Sequence, residues 1–427
     1  MSTTTTLPYE VHVVRTSNIS EHTSITISSH LPPLPENKIR AMPRIISLTA
    51  NNLSYAKGGH IMHWWDAFPL PADLPSPYND ATEYGIVPVW GYGEILNSKI
   101  PDIIPGSMIW GLWPSHNMPV DLELQTAFDL KGHYFDVSRH REKLWKFYNH
   151  YVVAPDKIRY RDLDQRTTER MAWEANILPA AGWMLSRFVL GTPAPTIHPG
   201  GLLEGWSEED ADLSKALVVS LSAGGRTARA FARALARERR EKASGPLGFL
   251  AVSSSTDGSL LPDFATFPKQ VISYADVDTP QATQWIADLG PEKIFLLDSG
   301  GRGNSLEQLQ HALQRAPAAR IMIIGIGGEA KAQSPEEIAD VVKRRAQLMN
   351  RIQMNTAGIQ DVAIAKMGAE KFFAEKDEAC RDFLEHGGPK GLELQWGEGV
   401  NGQNGIEGGW RMLCDGKAGH VGLVYRL

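Results

Sequence analysis

An α/β fold in two parts, a β-rich N-terminal region followed by a doubly wound parallel-sheet unit, is predicted by three observations. Residues 9 to about 160 break into short apolar runs divided by Pro and Gly turns and rich in aromatics. From residue 216 onward strand-like runs alternate with helix-length amphipathic ones, the pattern of a parallel sheet with crossover helices. The first strand of that series leads into Ser222-Ala223-Gly224-Gly225-Arg226-Thr227, a glycine turn that opens a helix.

In the first part, residues 11–14, 44–48, 87–96, 108–112 and 150–153 are the strand candidates, with Pro101-Asp102 and Pro105-Gly106 turning the chain between the third and fourth. Residues 169–190 carry apolar side chains at helical spacing and stop at Gly191, a C-cap. A Pro/Gly-rich loop over 192–205 and an acidic stretch over 208–212 lead into the second part. There 216–220, 248–253, 270–274, 293–297 and 320–324 read as strands, and 226–242, 279–289, 305–316 and 335–357 as helices. The tail has a helix over 370–386, a Gly-rich stretch over 387–422 and a last strand over 421–427 suited to pairing back onto the N-terminal sheet. The expected domain limits are 1–181 for the β-rich domain, 182–363 for the nucleotide-type domain and 364–427 for the return.

A chain of 427 residues suits two domains or three, and 42% apolar with 22% charged residues is the balance of a globular protein. The net charge of −6, with no basic stripe, excludes an electrostatic footprint for nucleic acid. Only Cys380 and Cys414 occur, which argues against a disulfide framework and for the reducing cytoplasm. Residues 1–7 lack the basic start and apolar core of a signal peptide. No apolar run approaches the roughly 20 residues that span a bilayer. The expectation is a cytoplasmic protein whose partner is a small-molecule substrate.

A dinucleotide site needs a buried strand, a turn whose backbone can approach pyrophosphate, and a helix whose first amides face the anion. Residues 217–221, Gly224-Gly225 and the helix from Arg226 supply these, so the second domain reads as Rossmann-type. Ser222, Ala223, Gly224, Gly225, Arg226 and Thr227 are the candidate cofactor contacts. The same glycines would also serve a strand-to-helix turn in a domain that binds no nucleotide. Arg226 favours the nucleotide, because a guanidinium at a helix start opposes the dipole unless an anion compensates it. The second strand runs into Ser254-Ser255-Thr256, with Asp257 several residues late, so no acid marks the strand end for NAD. Ser254 and Ser255 with Arg226 therefore point to the 2′-phosphate of NADP.

With these parts in order, the chain resembles the medium-chain dehydrogenase/reductase superfamily, in its zinc-free, quinone-oxidoreductase-like branch. Residues 48–56, Leu-Thr-Ala-Asn-Asn-Leu-Ser-Tyr-Ala, look like the segment that usually reads Asn-Pro-x-Asp-Tyr. Pro88-Val89-Trp90-Gly91-Tyr92-Gly93 and Tyr148-Asn149-His150-Tyr151 are similar to a little-characterised subgroup of that branch, whose cofactor turn looks like Ser-Ala-Ser-Ser-Lys-Thr. The resemblance implies a GroES-like N-terminal domain, a Rossmann domain and NADPH as cofactor. Two loops depart from the pattern: Asp298-Ser299-Gly300-Gly301-Arg302-Gly303-Asn304 is expanded, and Gly325-Ile326-Gly327-Gly328-Glu329 replaces a tighter turn.

The zinc enzymes of the superfamily take Cys, His and Glu ligands from the N-terminal domain, and no cysteine precedes Cys380, so no catalytic zinc is expected. His60 and His63, three apart, form at most a pair of ligands. Tyr55 and Asn51 fall where relatives place cleft residues, which implies a catalytic phenol and an amide that bonds ribose or substrate, though both suit a purely structural tie as well. Trp64 and Trp65, with His63 and Asn52, are the candidate substrate wall. Arg139, His140 and Arg141 read as a solvated face first and an anion clamp second. Relatives are often dimers joined through the edge of the Rossmann sheet, and strand 320–324 is a candidate edge for a homodimer. The expected activity is NADPH-dependent reduction of an activated alkene or carbonyl in a bulky apolar molecule. The alternative is a non-redox isomerase, dehydratase or cyclase on the same fold with a vestigial or empty cofactor site.

Overall fold

The structure is a computed structural model that describes residues 7–155, 158–191, 195–239, 245–255, 260–263, 265–277, 279–314, 319–348, 350–386, 389–419 and 421–427. Two compact units emerge: Met1–Asn176 with Ala330–Glu336 and Glu393–Leu427, and Ile177–Glu329 with Glu337–Leu392.

The first unit begins with strands β1 (Leu7–Arg15), β2 (His22–Ser29) and β3 (Lys38–Leu48), then helix α1 (Ala50–Lys57). Strands β4 (Tyr84–Gly85), β5 (Pro88–Ser98), β6 (Met108–Pro114), β7 (Val120–Thr126), β8 (His133–Asp136) and β9 (His150–Val153) follow, then α2 (Gln165–Glu174). The second unit runs α3 (Leu178–Met184), α4 (Glu208–Ala211), β10 (Ala216–Leu221), α5 (Arg226–Glu238), β11 (Gly248–Ser253), β12 (Lys269–Ser273), α6 (Pro280–Leu289), β13 (Lys293–Ser299), α7 (Ser305–Leu313), β14 (Arg320–Gly327), α8 (Pro335–Ala346), β15 (Arg351–Gln353), α9 (Thr356–Met367) and α10 (Ala369–Glu385). The chain returns to the first unit as β16 (Glu393–Glu398), α11 (Ile406–Cys414) and β17 (Val421–Arg426).

In the first unit β3 is the shared wall. It pairs along one edge with β5, and along the other with β7 over Lys38–Ala41 and with β17 over Ile45–Leu48. The order β3-β5-β6-β9-β8-β7 with the added β3–β7 pairing closes a barrel, and β17 with β16 extends it. Closure removes exposed edges. Buried and half-buried positions alternate along β3 from Lys38 to Arg44, as a strand with one face inward requires. Pro43, which has no amide to give, sits at a register shift.

In the second unit six parallel strands lie in the order β12-β11-β10-β13-β14-β15. The order reverses between β10 and β13, which opens a crevice at the carboxyl ends of the strands. Strands β10 and β11 are buried at every position, as strands covered by helices on both faces must be. Gly182 of α3 brings that helix against the first turn of α5, where a Cβ would lie 2.3 Å from the Thr227 carbonyl oxygen.

Three expectations change. The helix over 169–190 is two helices and a π-helical turn: α2 ends at Glu174, and Pro179, which has no amide to give, falls in the first turn of a new helix that starts at Leu178. The helix over 335–357 stops at Ala346, and Asn350, in the left-handed region at φ 56°, turns the chain into β15, a sixth strand too short to show a period. With β15 in place, strand 320–324 is interior rather than an edge, since β14 pairs with β13 on one side and β15 on the other.

Candidate functional site

The glycine turn stands at the carboxyl end of β10, beside the reversal of strand order. Ser222 is left-handed at φ 62°, and its hydroxyl is committed within the fold: it donates to the Gly300 carbonyl and meets the Tyr274 hydroxyl, both at 2.8 Å. The Ala223 amide donates to the Val252 carbonyl at 3.0 Å, tying the turn to β11. Gly225 caps α5 in an extended conformation, no side chain bonds the helix start, and its first turn holds no acid. Those features leave the positive end of the helix dipole uncompensated by any side chain of the cap. Arg226 is half-buried, and burial pulls its guanidinium down to about 10, a cost that an adjacent phosphate would offset. Thr227 is buried behind it, whereas Ser254 and Ser255 lie exposed just past β11. Thr256 and Asp257 lie outside the described residues. The residues present thus fit a nucleotide phosphate.

The expanded loop after β13 is internally braced. Asp298, fully buried, accepts from the amides of Gly300 and Gly301 at 3.0 and 2.8 Å, and Arg345 approaches its other oxygen at 3.4 Å. Asp298 and Tyr274 therefore shape the crevice wall without having been foreseen as site residues. Tyr274 carries no local signal, because its partner Ser222 is 52 positions away.

In the first unit, Thr49 caps α1 through a capping box with Asn52, which starts the helix one residue after β3 ends. On this helix Asn51 and Tyr55 stand one turn apart, and Asn51 Nδ2 donates to the Tyr55 hydroxyl at 2.7 Å. Trp90 Nε1, from β5, donates to the same oxygen at 2.8 Å. The Trp64 ring lies 4.6 Å from that of Tyr55, and Tyr148 closes the group at 5.7 Å from each. Trp90 also stacks on Trp110 at 4.9 Å and meets Phe147 edge-on. Tyr55 is 1% exposed, and burial holds its phenol well above its ordinary value, so it stays protonated.

Other expected residues sit apart from that group. Trp65 fills a slot between two glycines: a Cβ on Gly59 would lie 2.1 Å, and one on Gly85 2.4 Å, from its ring. His63 is left-handed at φ 60° and its Nδ1 pairs with Asp66 at 2.9 Å. Asn52 has both ends of its amide committed, Oδ1 to the Thr49 amide at 2.7 Å and Nδ2 to the Pro88 carbonyl at 2.9 Å. It is therefore a framework residue, not part of a substrate wall. Arg141, read as a solvated cation, is fully buried and paired with Asp136. Tyr148 and Trp90 were legible only as motif residues, since nothing local announces that they meet Tyr55.

Among the described residues, no group of three or more His, Cys, Asp and Glu side chains could hold a metal ion, and no helix is long and apolar enough to cross a membrane.

Comparison with solved structures gives the fold. The chain is similar to the mitochondrial 2-enoyl thioester reductase Etr1p/Etr2p heterodimer of Candida tropicalis, with 10% identity, a TM-score of 0.53, and coverage of 99% of this chain and 100% of that one. It is also similar to CurA of Vibrio vulnificus in complex with NADPH, with 11% identity, a TM-score of 0.52, and coverage of 98% of each chain. Barrel and six-stranded parallel sheet together are the two-domain fold of the medium-chain dehydrogenases/reductases. The chain belongs to the family described as "Protein of unknown function (DUF2855)", which it matches over residues 46–419. No curated protein matches it.

Proposed function

We propose that this protein is an NADPH-dependent reductase of an activated alkene or carbonyl in a bulky apolar small molecule. The observation that carries the reading is the bare start of α5 behind the turn at Ser222–Thr227, with Arg226 beside it and two serines where an NAD enzyme has an acid. The likeness to a structure in complex with NADPH supports the same cofactor. NADPH bound here supplies the hydride.

The backbone of the turn and the first amides of α5 would hold the pyrophosphate, and Arg226 with Ser254 and Ser255 would hold the 2′-phosphate. Tyr55 is the source of the proton that completes reduction. Asn51 and Trp90, both donating to its oxygen, stabilise the negative charge that proton loss leaves there. Trp64 covers Tyr55 and gives the substrate an apolar face.

The test is titration of NADPH followed by its fluorescence, then a panel of enones, quinones and enoyl thioesters followed by loss of NADPH absorbance. Micromolar or tighter binding with turnover of at least one class is expected. Absence of binding by NADPH and NADH overturns the reading. Binding without oxidation of NADPH across the panel transfers the site to the non-redox alternative.

A further inference from the structure

We propose that the first unit carries a further binding site, sharing no residue with the nucleotide turn or the Tyr55 group, for a small apolar molecule that ends in a carboxylate.

Strand register builds the site. Trp396 on β16 lies opposite Val424 on β17, Glu398 opposite Arg426, and Arg426 opposite Ile45 on β3. Side chains two apart share a face, so Trp396, Arg426 and Ile45 stand on one side of the sheet, with Trp396 diagonal to Arg426. Met171 and Ala172 of α2 pack on that side in one buried cluster with Ile45 and Val424, and Tyr160, Leu163 and Trp396 pack against it. The outer faces of these groups leave a cavity of about 590 Å³, a volume in the range of roughly 300–1,000 Å³ usual for small-molecule sites. Ile45, Leu163, Tyr160 and Trp396 are its apolar walls, and the cluster behind holds them in place.

Two guanidiniums lie over the rings of this cavity, and their commitments differ. Arg44, 4.7 Å from the centre of the Tyr160 ring, gives both Nε and Nη2 to Glu94, at 2.9 and 2.6 Å. Arg426, 4.3 Å from the centre of the Trp396 ring, meets no acceptor with its side chain among the described residues. Its guanidinium is turned onto the indole, and it makes no ion pair with Glu398 across the strands. Stacking thus holds an exposed cation at the rim of an apolar cavity with its N–H donors uncommitted. Among the lining residues Glu169 is the only acid, and its Oε1 accepts from Gln165 Nε2 at 2.9 Å.

A guanidinium fork pairs with a carboxylate through two parallel hydrogen bonds, which a neutral or cationic group cannot match. The walls take the apolar remainder of the ligand by burial of its surface. One uncommitted cation over an apolar floor therefore selects an anion with a hydrophobic body.

Calorimetric titration of the full chain with 2-naphthoate and with its neutral counterpart 2-naphthamide tests the site. Naphthoate is expected to bind in the micromolar to submillimolar range, and naphthamide about tenfold more weakly. Arg426→Gln should weaken naphthoate about tenfold and change naphthamide less than about twofold. Leu163→Trp, which fills the cavity with Arg426 intact, should weaken both about tenfold or more. Arg426 is exposed and Leu163 half-buried, so melts of the two variants should match the wild type. Glu169→Gln, by removing a like charge, should tighten naphthoate about twofold. The proposal is overturned if naphthoate does not bind, if naphthamide binds equally well, or if either Arg426→Gln or Leu163→Trp leaves naphthoate affinity unchanged. Weaker naphthoate binding in Glu169→Gln also overturns it, because that acid can only repel a carboxylate.

Discussion

Asn51 Nδ2 donates to the hydroxyl of Tyr55 at 2.7 Å, across one turn of the same helix, and fills one of the two acceptor positions on that oxygen. The contact does little for a neutral phenol but much for an anion, since hydrogen bonds to ionised groups are roughly twice as strong. Asn51→Ala should therefore lower kcat about tenfold, by removing one of two donors, while leaving KM nearly unchanged. Half-buried Asn51 contributes no cap through its side chain, so thermal melts of the variant should stay close to wild type. A proportional fall in stability and activity would instead make Asn51 a structural tie.

Arg226 opens α5 where a phosphate would sit. Arg226→Ala should weaken NADPH about tenfold to a hundredfold, the loss of one charge-assisted contact, while NADH changes little. Titration of both nucleotides against both proteins checks this, and equal loss for the two would remove the 2′-phosphate from the argument.

Arg141 and Asp136 are both fully buried, 3.2 Å apart. Removing one partner of such a pair leaves the other uncompensated, so Arg141→Met should cost about 3–5 kcal/mol. Chemical denaturation, read by tryptophan fluorescence, measures it. A loss below about 1 kcal/mol would show the pair to be better solvated than its burial implies.

Acid should destabilise the first unit. Burial pulls His116 down to about 4, and His12, fully buried with its Nε2 on His22, well below its ordinary value. His116 Nδ1 accepts the Met118 amide at 3.1 Å, a bond that the neutral ring alone can make. The unfolded chain takes up protons from about pH 6.5 downward, and the folded chain only near pH 4. Stability is thus complete above pH 6.5 and falls as pH drops toward 4, by about 3 kcal/mol for His116. Melts at pH 7.5 and 5 should differ, and His116→Asn, which keeps an acceptor for the Met118 amide, should reduce the difference.

The second unit was largely legible because its signals are local. A strand of six buried residues, a glycine turn and an amphipathic helix each show within a short window, and Ser222–Thr227 lies where that reading puts it. The misreadings there also have local causes: Pro179 interrupts a helical period, and a three-residue strand, Arg351–Gln353, is too short to have one. In the first unit β7, Val-Asp-Leu-Glu-Leu-Gln-Thr, alternates as a strand should, yet only its pairing with β3 shows that it closes a barrel.

By itself, then, the sequence determined the class of fold and the nucleotide turn, because each depends on neighbours within one or two turns of chain; the helix that carries Asn51 and Tyr55 was not read from it. Only the tertiary structure decided which aromatics meet. Trp90 reaches the Tyr55 oxygen from 35 positions away, Tyr148 arrives on a turn held by a buried guanidinium, and Trp65 leaves its neighbour Trp64 for a slot between two glycines. Such contacts follow from barrel closure and strand register, which fix distances between residues far apart in the chain and leave no periodic trace along it.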